Sequence, residues 1–238
     1  MSGLDVLAIA AHPDDIELCA GGTLIRMADG GLKTGILDLT RGEMGTRGDA
    51  ETRLKEASAA AVMLGLTWRG NAGLPDNGLE NTPAHRDAII RVVREHRPRI
   101  VFINAPSDRH PDHGHAARLT LDALFYGGLA KHETGQEPWR PPHVFHYLQD
   151  RAVFEPSIVV DITPVFERRT QAILAFSSQF LAKDGDGPQT HISSERFFRF
   201  IEGRSRHYGH MIGVEYGEPF LYASGPLPVR DFGWLQPI

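Results

Sequence analysis

Apolar runs of strand length alternate with longer amphipathic stretches along this chain. Residues 4–10 (LDVLAIA), 34–39 (TGILDL) and 100–105 (IVFINA) read as strands, joined by a less apolar one at 66–72. Continuous rather than alternating apolar character predicts strands buried on both faces of a parallel sheet. The helical spacing falls between them, over 22–29, 51–64, 83–96 and 112 to about 130, with Gly30-Gly31, Gly65 and Pro98 as stops. Residues 144–148 and 157–162 read as further strands, and 164–176 and 194–208 as helices. The alternation predicts a Rossmann-like three-layer α/β/α fold with right-handed crossovers and a mainly parallel sheet of order 3-2-1-4-5, followed by C-terminal strands and helices. One domain over residues 1–238 is expected, with Pro75-Asp76-Asn77-Gly78 as a turn and the polar, glycine-rich residues 181–190 as a mobile loop.

Composition narrows the partners. A net charge of -5 over 238 residues argues against nucleic acid, whose phosphates demand concentrated Lys and Arg. The first apolar run is too short for a membrane span and no basic segment precedes it, so a cytoplasmic protein is expected. The single cysteine, Cys19, rules out an intrachain disulfide and a cysteine-based metal cluster. Any metal would be held by histidines and carboxylates.

Such groups are concentrated in two places. Ala11-His12-Pro13-Asp14-Asp15 and Arg109-His110-Pro111-Asp112-His113 each follow an apolar run, where the chain leaves the C-terminal edge of the sheet. In the order 3-2-1-4-5 these two loops flank the topological switch point, so residues nearly 100 positions apart converge on one crevice. A hydrolytic metal site needs neutral imidazole and carboxylate ligands with a position left for water, whose pKa the cation lowers toward ~7. His12, Asp15 and His113 supply such a set. Asp14 cannot readily point the same way as Asp15 and is free to act as general base. His110 with Asp112 forms a pair able to stabilise an oxyanion or protonate a leaving amine, the carboxylate orienting the imidazole. Two histidines and a carboxylate also make the facial triad of non-haem iron oxygenases, and a metal-free sugar- or nucleotide-binding module could use the same sheet edge.

The motifs resemble those of the PIG-L/LmbE-like zinc-dependent N-deacetylases: residues 11–15 look like the family's AHPDD motif and residues 110–113 its HPDH motif. The resemblance implies zinc (Zn2+) on His12, Asp15 and His113, Asp14 as general base, and assistance from His110 and Asp112. It also implies a small-molecule N-acetylglucosamine conjugate as substrate. The glycine-rich stretch 40–48 and residues 213–216 look like the bacillithiol-pathway branch, which acts on N-acetylglucosaminyl malate. Deacetylation of another conjugate or of a chitooligosaccharide is the alternative. In that branch Arg53 is similar to an arginine placed near the substrate, and with Arg41 and Glu43 on the loop it completes the candidate substrate-binding set. Branch members are often homo-oligomers, so an oligomer is expected.

Overall fold

The computed structural model describes residues 3–151, 154–180 and 188–228; most of the predicted 181–190 loop lies outside the described residues. Seven strands form one sheet of order β3-β2-β1-β4-β5-β7-β6. They are β1 (Val6–Ala10), β2 (Thr34–Asp38), β3 (Trp68–Asn71), β4 (Ile100–Ile103), β5 (His143–Tyr147), β6 (Ile158–Asp161) and β7 (Gly217–Tyr222). The first five are parallel in the expected order. Strand β7 inserts antiparallel between β5 and β6. Sequence reading assigned no strand at 217–222, because GEPFLY carries a glycine, a buried glutamate and a proline in place of an apolar alternation.

Alternate residues of the central strands feed two apolar cores. Val6, Ala8, Ala10 and Ile36 pack beneath α1 (Asp15–Cys19), α2 (Gly21–Asp29), α3 (Ala50–Leu64), α6 (Phe166–Leu174) and α7 (Glu195–Met211). Leu7, Ile9, Leu37, Val101 and Ile103 pack against α4 (Pro83–His96) and α5 (Pro111–Gly127) on the other face. Both faces are thus covered, which is why the strands read as uninterrupted apolar runs.

Local chemistry fixes the helix ends. Asp49 caps α3 by accepting from the Thr52 amide at 2.7 Å, and Gly65 ends it at φ 71°. The start of α2 is capped from far away in sequence: the Glu218 carboxylate of β7 accepts from the Gly22 and Thr23 amides and the Thr23 hydroxyl. A Cβ at Gly22 would stand 2.7 Å from Ile162 Cγ2, so this close approach requires glycine. Among the described residues no helix is long and apolar enough to cross a membrane.

Candidate metal centre and active site

The two motifs meet beyond the C-terminal ends of the adjacent strands β1 and β4, at the switch point. They reach it by different backbone routes. His110, Pro111, Asp112 and His113 are the N-cap and first turn of α5: the ring Nδ1 of His110 accepts from the Asp112 amide at 3.3 Å, and Pro111 needs no amide partner there. The β1 loop turns sharply at Asp14, whose φ of 107° lies in the left-handed region that a non-glycine residue occupies only when its surroundings hold it. The five-residue α1 then begins at Asp15. It is too short to leave a periodic signature in sequence.

The bend sends adjacent carboxylates in different directions. Asp15 Oδ1 lies 3.3 Å from His113 Nε2, and Asp15 Oδ2 lies 3.8 Å from His12 Nδ1 and accepts from the His12 amide. Asp14 Oδ2 instead accepts from Arg53 Nη2 at 3.1 Å, and the same guanidinium reaches the Pro13 carbonyl. Gly42, at φ 67°, lies over this arginine, and a Cβ there would meet its Cζ at 3.1 Å. Burial pushes the Asp14 carboxyl up to about 7, with the Asp15 charge adding to it and Arg53 opposing. Asp15 is equally buried, yet its two histidine neighbours outweigh burial and hold it well below the usual range.

The histidines are held by further carboxylates. His113 Nδ1 lies 2.5 Å from Asp108 Oδ2, and His12 Nε2 lies 3.2 Å from Asp76 Oδ1 and 3.6 Å from Asp112 Oδ2. Burial alone would lower both imidazoles, but Asp15 together with these neighbours lifts His12 to about 10 and His113 to about 9. Among the described residues no carboxylate lies within ion-pair distance of His110; burial and the neighbouring His12 and His113 lower it. The Asp112 carboxylate accepts from the Asn77 amide at 2.8 Å and faces His12, so Asp112 meets His110 through its amide and not through the carboxylate that the sequence reading paired with it.

Donor atoms of His12, His110 and His113 lie within 4.8 Å of one another, as do those of His12, Asp76 and Asp112. With Asp15 against His113 and His12, the donor set is imidazole and carboxylate, which suits a zinc-sized divalent cation. The site opens into a cavity of about 180 Å³, which Arg53 also lines. Arg41 and Glu43 are exposed and do not line it: Arg41 borders a neighbouring groove, and Glu43 accepts from the Asp76 and Arg41 amides. Asp76 and Asp108 escaped sequence reading. Asp76 is hidden in a Pro-Asp-Asn-Gly turn signal, while Asp108, five residues before His113, reaches it only because the loop folds back onto the first turn of α5.

Residues 7–124 match the family model PIG-L: GlcNAc-PI de-N-acetylase. A diacetylchitobiose deacetylase of Thermococcus kodakarensis is 30% identical over 232 residues, covering 92% of this chain and 83% of that protein. A 1D-myo-inositol 2-acetamido-2-deoxy-alpha-D-glucopyranoside deacetylase of Rhodococcus erythropolis is 29% identical and shares 64% of each chain. A probable N-acetyl-alpha-D-glucosaminyl L-malate deacetylase 2 of Bacillus cereus is 29% identical over 73% of this chain and 83% of its own. Among solved structures, the conserved protein TT1542 from Thermus thermophilus superposes with a TM-score of 0.87 at 41% identity, covering 98% of this chain and 100% of its own. The N,N'-diacetylchitobiose deacetylase from Pyrococcus horikoshii follows with a TM-score of 0.80 at 28% identity, covering 92% and 84%.

Proposed function

This chain belongs to the PIG-L family, and from that premise we propose a zinc-dependent hydrolase that removes the acetyl group from an N-acetylglucosamine conjugate and releases acetate. The observation that carries the reading is the divergence of Asp14 and Asp15, adjacent in sequence and turned to different partners in one cavity, Asp15 to His113 and His12 and Asp14 to Arg53. Such a pair divides the work between an ionised ligand and a proton carrier.

His12, Asp15 and His113 would hold the cation, which when bound supplies Lewis-acid polarisation of the amide carbonyl and an activated water near neutral pH. Asp14 is matched to neutral pH by its raised pKa and acts as general base. Arg53 occupies Oδ2, leaving Oδ1 to take the proton from water and pass it to the departing nitrogen as the C–N bond breaks. His110, whose Nδ1 is an acceptor, carries its proton on Nε2 when neutral and can donate it to the developing oxyanion. Asp112 supports this acid by fixing its tautomer through the backbone. Arg53 acts chiefly by orienting Asp14.

The conjugate is N-acetylglucosaminyl malate or the end unit of a chitooligosaccharide. Residues 40–48 and 213–216 support the first, and the long alignment with a diacetylchitobiose deacetylase supports the second. The test is acetate release by the zinc-loaded protein from both compounds, with the free amine measured in parallel. Equimolar acetate and amine from at least one of them are expected. Neither product from either compound would overturn the reading.

A further inference from the structure

Among the described residues, three guanidinium groups line the cavity. Arg53 is paired with Asp14 at 3.1 Å, and Arg109 with Asp150 at 2.8 Å. Arg204, on α7, is different. Its Nη1 donates to the Gln149 carbonyl at 2.9 Å, and its Nη2 to the Leu18 carbonyl at 2.8 Å, with the Cys19 sulfur at 3.8 Å. No carboxylate among the described residues stands within ion-pair distance of it. Two carbonyls fix the plane of the guanidinium without neutralising its charge, and they leave part of its five-donor fork unused.

The surroundings add to the imbalance. Arg169 donates to the same Leu18 carbonyl and has Glu218 as its carboxylate partner, at 3.3 Å. The two cations therefore share the Leu18 carbonyl, and of the two only Arg169 has a carboxylate within ion-pair distance. Burial first, and Arg204 as a like charge, lower the Arg169 pKa. Leu18, Phe197 and Ile201 add apolar lining to the same cavity, Phe197 and Ile201 from the helix that carries Arg204. A fixed, unneutralised cation in a cavity with a hydrocarbon wall matches a small carboxylate, whose two oxygens meet the fork while its methyl or methylene group meets the wall.

We propose that Arg204 and this wall form a carboxylate-binding subsite within the candidate active site. The carboxylate belongs either to the group attached to the sugar or to the acetate released by the reaction. The inference rests on the hydrolase reading for the identity of the substrate only, because anion binding is measurable without turnover.

The test compares N-acetylglucosaminyl malate with its dimethyl ester in the wild type and in Arg204→Gln, and measures inhibition by acetate in both proteins. If the substrate supplies the carboxylate, the wild type prefers the free acid by about tenfold or more in kcat/KM, and Arg204→Gln loses that preference. If acetate is the ligand, its inhibition constant rises by about tenfold in the variant and the acid-to-ester ratio does not move. Both quantities unchanged would overturn the proposal. Should Arg204→Gln fail to fold, Arg204→Lys keeps the charge but not the fork, and severalfold shifts in the same quantities are expected; their absence would overturn it equally. Calorimetric titration of acetate and malate into the zinc-loaded wild type and variant decides the matter even if neither conjugate is hydrolysed, which separates a failed subsite from a failed hydrolase reading.

Discussion

The two loops that build the site solve one problem in different ways. The β4 loop is regular: a proline-led helix start places His113 in the first turn of α5, and the cap is the motif's own histidine. The β1 loop is strained, bending at a non-glycine residue with φ 107° before a five-residue helix. Backbone strain of this kind costs about 1–3 kcal/mol and persists where the surroundings over-determine it. Here Arg53 holds both the Asp14 carboxylate and the Pro13 carbonyl, fixing the bend from α3. Under the proposed function, the contrast teaches that the regular loop presents a ligand, while the strained one separates a ligand from a base.

The largest effect tests the regular loop. Removing its ligand in His113→Ala should abolish stoichiometric zinc binding, measured by elemental analysis, whereas Asp76→Asn should retain it; the reverse pattern would move the cation to the second donor group of His12, Asp76 and Asp112. Next comes pH. His12, at about 10, and His113, at about 9, both carry protons at pH 7 in the metal-free protein, and zinc needs them neutral. Two protons should therefore leave per ion bound, and apparent zinc affinity should climb steeply as pH rises from 6 toward 9. Calorimetry in buffers of different ionisation enthalpy reads the proton count; none released would contradict the assignment of the ligands.

A smaller effect is expected at Asp108, which holds His113 Nδ1 and so orients the nitrogen facing Asp15. Asp108→Asn should weaken zinc affinity by about 10–100-fold, the usual consequence of losing a carboxylate behind a metal-binding histidine. Competition with a chelator measures it. The smallest effect lies at the support of the strained loop: Asp49→Ala removes the cap of α3, the helix that carries Arg53, and should lower the midpoint of chemical denaturation slightly with the fold retained. Loss of the fold would show that α3 depends on this cap far more than a capping hydrogen bond accounts for.

The sequence discloses the parts of the molecule that obey a period or a local rule. Strands β1, β2 and β4 appear as apolar runs, the α5 start as His-Pro-Asp-His, and the order 3-2-1-4-5 is the common one for alternating strands and helices with right-handed crossovers. What it conceals rests on tertiary contacts. Strand β7 has no strand-like pattern because its Glu218 is spent capping α2. Asp76 and Asp108 reach the histidines only after their loops fold, and the same folding leaves Arg41 and Glu43 outside the cavity. Sequence places Asp112 beside His110, but the helix start turns its carboxylate toward Asn77 and His12.

The central claim is the division of labour between Asp14 and Asp15, and the most direct measurement is zinc content together with acetate release for Asp14→Asn beside the wild type. The account predicts equal zinc in both proteins and a fall in kcat of about 10²–10⁴-fold in the variant, the range expected for loss of a general base. Undiminished turnover with full zinc would contradict it.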